Sequence, residues 1–147
     1  MVEYQKSAGV LVYCDDNGIK FLLLKYKTYW GFVKGLIEGG EGVVDAAVRE
    51  LGEETGIKNV KIIPGFEKKQ EWFFRAEGKL VRKKAIYFLV KVSKEAADKV
   101  KISHEHEEFA WLSYDDAIEK MKIKANKELL KKAYDFIKEY EKQGKLS

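Results

Sequence analysis

GLIEGGEGVVDAAVRELGEETGI, residues 35–57, decides how the rest of the chain is read. Its first eight residues hold four glycines, Gly35, Gly39, Gly40 and Gly42, so they read as a loop with unusual backbone demands. A helix follows from Asp45, with Ala46, Ala47, Val48 and Leu51 as its apolar positions, and Gly56 stands where a helix-ending glycine belongs. Within that helix Glu50, Glu53 and Glu54 crowd together, with Arg49 and little else to pair with. Positions i, i+3 and i+4 share one helix face, with Cβ atoms about 5–6 Å apart. Three carboxylates there repel each other, and a helix that needed only solubility would interleave Lys. Something positive should occupy the face, and a divalent cation is the natural candidate.

The chain around this segment is one ordinary domain, 1–147, long enough to bury a core. Hydrophobic residues make up 46%, which excludes a disordered chain. The longest apolar runs, FLLL (21–24) and AIYFLV (85–90), fall far short of the roughly 18–20 residues of a membrane span. MVEYQKSAG at the start lacks the basic-then-apolar order of a secretory signal, and the single Cys14 cannot form an internal disulfide. A cytoplasmic protein with no membrane partner is expected. The net charge of +4 is a mild excess that fits an anionic ligand. Charged residues reach 35% and are rich in Lys and Glu, while Asn, Gln, Cys and Met are scarce, a balance typical of thermophile proteins.

No linker or internal repeat divides the chain. AGVLVYC (8–14) and IKFLLLKY (19–26) read as strands joined by a DDNG hairpin turn, and 30–33 as a short third strand. Further extended segments are expected at 60–63, 66–76, 80–93 and 108–112, with a turn at AEGK (76–79). A short helix over 114–120 begins after Ser113, a good N-cap. Residues 125–143 form a long amphipathic helix with Leu129, Leu130, Ala133, Phe136, Ile137 and Tyr140 on its inner face. Strands and helices mix without regular alternation, which predicts an α+β fold, an α/β/α sandwich around a mixed sheet.

The skeleton of 35–57 carries more than an acidic face. It runs Gly35, five residues, Glu41, seven residues, Arg49-Glu50, an apolar and any residue, Glu53-Glu54, any residue, Gly56 and an apolar residue. Every fixed position of the Nudix hydrolase box is present, so the chain resembles the Nudix family. The resemblance implies attack on a nucleoside diphosphate linked to another group. Substrate and glutamate face are both anionic, so Mg²⁺, or Mn²⁺ with the same oxygen preference, is the expected cofactor. It would polarise the attacked phosphorus. Glu53 and Glu54 are the first-choice metal ligands, Glu50 stands beside them, and the family suggests the Gly35 carbonyl as a further ligand. Arg49 belongs to the same group as a residue that orients Glu50 or Glu41. Glu41 aids the site or its loop.

ISHEHEEFAWLSYDDA (102–117) is similar to the corresponding stretch of the asymmetric diadenosine tetraphosphate hydrolases. So are AGVLVY, FLLL, WGFVKG before the box, Gly65-Phe66 and the KxxIYFL pattern around Tyr87. Here the approach to the box is FVKG, without the Pro residues common in that branch, and the 66–87 segment is longer, with Trp72, Phe73 and Arg75 in alternation. The resemblance implies that Glu105 reaches the metal cluster as a ligand or general base, competing with Glu50 for that base role. It makes Lys34 and Lys83 candidates for the polyphosphate. Tyr87, with Phe136 or Tyr134, could stack an adenine, though Tyr87 and Phe136 also fit a core. His104 and His106 read as local hydrogen-bonding residues or phosphate contacts. The implied reaction is hydrolysis of diadenosine tetraphosphate to AMP and ATP. The alternatives are another nucleotide (a modified dNTP, an ADP-sugar, an RNA 5′ end) and a nucleotide sensor that does not cleave.

Overall fold

Fourteen residues, Val2–Asp15, form the central strand β1 of the computed structural model, which describes residues 2–146. From Ala8 onward β1 is apolar on both sides. Ala8, Val10, Val12 and Cys14 enter one core, and Leu11 and Tyr13 enter another. A strand buried on both faces needs a helical layer on each.

A hairpin leads to β2 (Ile19–Lys25), with Asn17 and Gly18 at φ 54° and 117°, the positive values a tight turn demands. Two short strands follow, β3 (Trp30–Gly31) and β4 (Val33–Leu36), and β4 pairs antiparallel with β1 so that Gly35 lies opposite Ala8. Helix α1 (Val43–Thr55) ends on Gly56 at φ 80°, whose N–H bonds to the Gly52 carbonyl. Strands β5 (Lys68–Ala76) and β6 (Lys79–Lys91) form a long hairpin turned by Glu77 and Gly78 at φ 52° and 75°. Helix α2 (Lys94–Asp98), strand β7 (Phe109–Leu112), helix α3 (Tyr114–Lys120) and helix α4 (Lys124–Leu146) complete the chain. The Ser113 hydroxyl accepts from the Asp116 N–H and caps α3.

The sheet runs β3-β2-β1-β6-β5, with β4 beside β1 and β7 beside β2. β1 and β6 are parallel over twelve residue pairs and the other pairings are antiparallel, so the sheet is mixed. One core joins the sheet to α1 and α2 through Ala46, Ala47, Leu51 and Ala97. The other joins it to α3 and α4 through Ala117, Met121, Leu129, Leu130, Ala133 and Ile137. The α+β sandwich read from the sequence is the fold observed. No helix among the described residues is long and apolar enough to cross a membrane.

The differences are local. β1 begins six residues earlier than its apolar run because parallel pairing with β6, Val2 against Leu80 onward, holds its polar half. Residues 60–63 contribute only a bridge, Ile62 to Val90. Gly35 lies in β4, not in the loop. Tyr140 stays 38% exposed. Tyr87 is a correction: at 2% exposure it is core, edge-on to Phe32 with centroids 6.0 Å apart. Gly9 lies directly under its ring, where an added Cβ would come within 2.7 Å of Cδ1. Tyr87 therefore offers no face to a base.

Candidate active site

Helix α1 lies close to the sheet because its inward positions are the small Ala46 and Ala47, both fully buried. That closeness presses Glu50 against Gly35 on β4. A Cβ at Gly35 would overlap the Glu50 carboxylate outright. Glycine is needed here for space: the backbone of β4 and a carboxylate of α1 occupy the volume any side chain would fill.

Arg49 organises the remaining carboxylates. Its Nε and Nη2 donate to the two oxygens of Glu41 at 2.7 and 3.1 Å, a bidentate grip. Nη1 donates to Glu50 at 2.9 Å and Glu53 at 3.1 Å, and Nη2 also reaches the Leu36 carbonyl at 3.0 Å. The hydrogen bond from Arg49 holds the Glu41 carboxyl below its usual range, and Glu41 in turn accepts from the Glu38 N–H at 3.1 Å. One guanidinium thus ties the glycine loop, β4 and the acidic face of α1 together.

Glu54 lies outside that grip. It is 4% exposed, and burial, then the Glu50 charge, push its pKa up to about 8. One oxygen lies 2.6 Å from His106 Nε2. The other, Oε2, is buried without a hydrogen-bond partner, as is His106 Nδ1. That contact is a hydrogen bond in which donor and acceptor are set by the imidazole tautomer. Tyr26 packs edge-on against His106 at 4.7 Å and donates its hydroxyl to the Phe32 carbonyl. The loop carrying His106 and Glu105 is fastened to the end of α1: the Lys101 N–H donates to the Thr55 carbonyl at 3.0 Å and the Ser103 N–H to the Glu54 carbonyl at 3.1 Å.

Glu50, Glu53, Glu54 and Glu105 line one cleft of ≈ 500 Å³, with Lys34, Gly35 and Ser103 on its walls. Among the described residues no three acidic or imidazole side chains enclose a cation by themselves. The donors form an open, all-oxygen wall instead. Such a wall suits an ion that keeps waters and takes other ligands from a substrate phosphate. The buried Oε2 of Glu54, without a hydrogen-bond partner, is the observation that fits a cation: when the carboxyl ionises, that oxygen needs a positive partner in place of its proton.

Lys34 joins this cleft to a second pocket of ≈ 520 Å³ lined by Tyr29, Trp72 and the start of α4. Its ammonium lies over the rings of Trp72 at 5.1 Å and Tyr29 at 5.7 Å. Burial, then the neighbouring Lys83, lower its pKa to about 8. Burial likewise lowers that of Lys83, which lies 5.7 Å from the Trp72 ring centre. The two lysines meet where the pockets join.

The structure brings Gly35, Glu50, Glu53, Glu54, Glu105 and Lys34 to one cleft, with Arg49 bonded to Glu50 and Glu53 behind it and Lys83 beside Lys34. It does not bring the three aromatic residues read as base-stacking. Tyr87 is in the core. Tyr134 stacks on Tyr114 at 4.3 Å, and Phe136 packs between Phe66 at 5.6 Å and Tyr140 at 6.2 Å. None of the three lines the pocket beside Lys34, where Tyr29 and Trp72 stand instead. Trp72 was visible in the QEWFF alternation. Tyr29 sits in the four-residue connection 26–29 between β2 and β3, and its signal is the alternation of basic and aromatic residues in KYKTYW, 25–30. His104 is exposed, whereas His106 is buried on Glu54.

A model of the NUDIX domain matches residues 3–133. The asymmetrical bis(5′-nucleosyl)-tetraphosphatase of the pig is 34% identical over 128 residues, covering 84% of each chain. An RNA pyrophosphohydrolase of a Sulfurovum species is 32% identical over 120 residues, covering 75% of this chain and 74% of that one. The crystal structure of a C. elegans Ap4A hydrolase in a binary complex superposes with a TM-score of 0.78 at 32% identity, over 90% of this chain and 97% of the other. With the acidic cleft assembled as the sequence motif requires, and the domain model spanning most of the chain, this protein belongs to the Nudix family of hydrolases.

Proposed function

We propose that the chain hydrolyses nucleoside polyphosphates with the help of Mg²⁺, with diadenosine tetraphosphate as substrate and AMP and ATP as products. The observation that carries this reading is the junction at Lys34, where a cleft of four glutamates opens into a pocket walled by Tyr29 and Trp72. A polyphosphate chain needs cations on both sides of its charge, and a purine needs a π-surface. The junction offers both in one groove. The relatives at 32–34% identity named as tetraphosphatases and an Ap4A hydrolase favour this substrate among nucleotides.

Glu50, Glu53, Glu54 and the Gly35 carbonyl would hold the cation. Once bound, it supplies charge neutralisation for the phosphates and polarisation of the attacked phosphorus; Mn²⁺ satisfies the same donors. Arg49 keeps Glu50 and Glu53 at fixed positions. Glu105 is the general base in this reading. Glu50 is tied to Arg49 and pressed on Gly35, while Glu105 is exposed and has no ion pair among the described residues. Glu105 takes the proton of the attacking water as a new P–O bond forms and the bridging P–O bond breaks. Lys34 and Lys83 face the departing phosphates, and Tyr29 and Trp72 hold the adenine.

Incubation with Mg²⁺ and diadenosine tetraphosphate, followed by chromatography, tests this directly. AMP and ATP in equal amounts are expected, with Glu53→Gln reducing turnover by about 10²–10³ while the nucleotide still binds. Two ADP, or binding without any product from the unaltered protein, would overturn the reading.

A further inference from the structure

Strand β5 closes one end of the sheet, so no strand pairs with its outer side. The two-residue turn at Glu77 and Gly78 makes Ala76 and Lys79 a hydrogen-bonded pair. Counting back by twos, Phe74 and Trp72 turn their backbone groups toward β6, and Arg75, Phe73 and Glu71 turn theirs outward. Such an edge is ordinarily blunted by a bulge, a Pro or charged side chains. Lys68 and Lys69 supply charge at the start of β5, where the Gln70 amide is also tied to α4. From Glu71 to Ala76 the register against β6 runs without a bulge, and the side chains there include Phe73 at 59% exposure and Phe74 at 38%. The Arg82 guanidinium bonds one oxygen of Glu71 at 2.7 Å, and Arg75 has no ion pair among the described residues.

We propose that β5 pairs antiparallel with the β5 of a second copy about a two-fold axis at Phe73, joining two sheets into one and setting the partner's Phe74 beside Trp72. Two identical strands related by such an axis must be self-complementary, since each gives the other what it receives. About Phe73 they are. Phe73 meets the partner's Phe73, Trp72 meets the partner's Phe74, and Glu71 meets the partner's Arg75 twice over. Moving the axis by one residue sets Lys69 against Arg75 or Glu71 against Glu77, like charges in either direction. The outward backbone groups of Glu71, Phe73 and Arg75 gain the partners they lack in a single copy. Directly opposed residues share a face of the sheet, so the partner's Phe74 lies on the face where Trp72 walls the pocket beside Lys34. A second copy therefore adds aromatic surface to that pocket. The interface is small, below about 1,200 Å², so the dimer is a weak one that forms as concentration rises.

The share in the pocket rests on the proposed function, whereas the pairing does not, and the test separates them. Sedimentation equilibrium is run from about 10 μM to about 500 μM, the range in which so small an interface associates. Glu71→Arg and Arg75→Glu, both at exposed positions, are compared alone and mixed in equal amounts. Each variant alone sets like charges across both contacts, and the mixture sets opposite charges across both. The mass of the unaltered protein should climb from 17.0 kDa toward twice that value. Each variant should stay at 17.0 kDa, and the mixture should climb again. An unaltered protein that keeps the single-chain mass throughout would overturn the pairing. So would a variant that associates alone as strongly as the unaltered protein, or a mixture that stays monomeric. Calorimetric titration with AMP and Mg²⁺ at the highest concentration should show binding about threefold tighter in the mixture than in either variant alone, the effect of one added aromatic contact. Equal AMP affinities with the expected masses would overturn the partner's share in the pocket. No AMP binding in any sample, with the expected masses, would count against the base pocket and leave the dimer standing.

Discussion

With the cation held as proposed, Glu54 should make its binding a proton-releasing event. Its carboxyl is buried, faces Glu50, and has a pKa of about 8 before any cation arrives. At pH 7 it therefore carries about 0.9 proton, which must leave because a carboxylate binds a cation only when ionised. Apparent affinity for Mg²⁺ or Mn²⁺ should rise nearly tenfold per pH unit from about 6 to 8 and level off above. Calorimetric titration at pH 7 in two buffers of different ionisation enthalpy counts the protons released. The same shift fixes the sign of the metal-free stability profile. The folded pKa lies above the ordinary 4.5, so the folded state binds the extra proton between those values. The contribution is complete below about pH 4.5 and is lost as pH rises toward 8, by a few kcal/mol in all. Metal-free protein should thus melt lower at pH 8 than at pH 5, saturating Mg²⁺ should cancel the fall, and Glu54→Gln should flatten it. A proton count near zero at pH 7, together with an affinity that does not change between pH 6 and 8, would refute the reasoning.

Gly35→Ala should reduce kcat about a hundredfold with the fold retained by circular dichroism, since its Cβ displaces the Glu50 carboxylate and little else. Tyr29→Ala and Trp72→Ala should each raise the KM for an adenine nucleotide, by about 5- to 100-fold if one stacking contact is lost, whereas Phe136→Ala should leave KM unchanged and lower only the melting temperature. Tyr87→Ala should cost about 3–5 kcal/mol in denaturant unfolding, because it empties a core position against Phe32 and Gly9. A soluble Tyr87 variant with normal stability and a raised KM would contradict the placement of that ring.

The acidic face was legible because its physics is local. Residues at i, i+3 and i+4 share a side of any helix, so Glu50, Glu53 and Glu54 meet whatever the rest of the chain does. The two-sided apolar runs of β1, β2 and β6 announced a covered sheet for the same reason. What the sequence concealed depends on partners far along the chain. The polar VEYQKS half of β1 has no strand signature and is extended only because β6 lies beside it. Tyr87 and Trp72 both sit on long strands, and only the register Trp72 against Lys83 puts the tryptophan beside the lysines and leaves Tyr87 under the α4 layer. Helix α2 spans five residues, too few for a period, and its Ser93 cap was its only mark. The bond from Glu54 to His106 joins positions 52 apart and could be known only once the loop was seen folded back.

The stitching of the 101–106 loop to the last turn of α1 bears on traffic through the enzyme. The N–H groups of Lys101 and Ser103 satisfy the end carbonyls of the helix that carries Glu53 and Glu54. Swinging Glu105 outward would strip those carbonyls and expose the His106 contact, so this wall is a poor door. The opposite wall, where the exposed residues of β5 approach α4, has the Gln70 amide bonded to Asn126 and the Ala125 carbonyl as its crossing tie. On the proposed function, the nucleoside side of the groove is then the expected route, with a product shed base first and its phosphates the last part to let go.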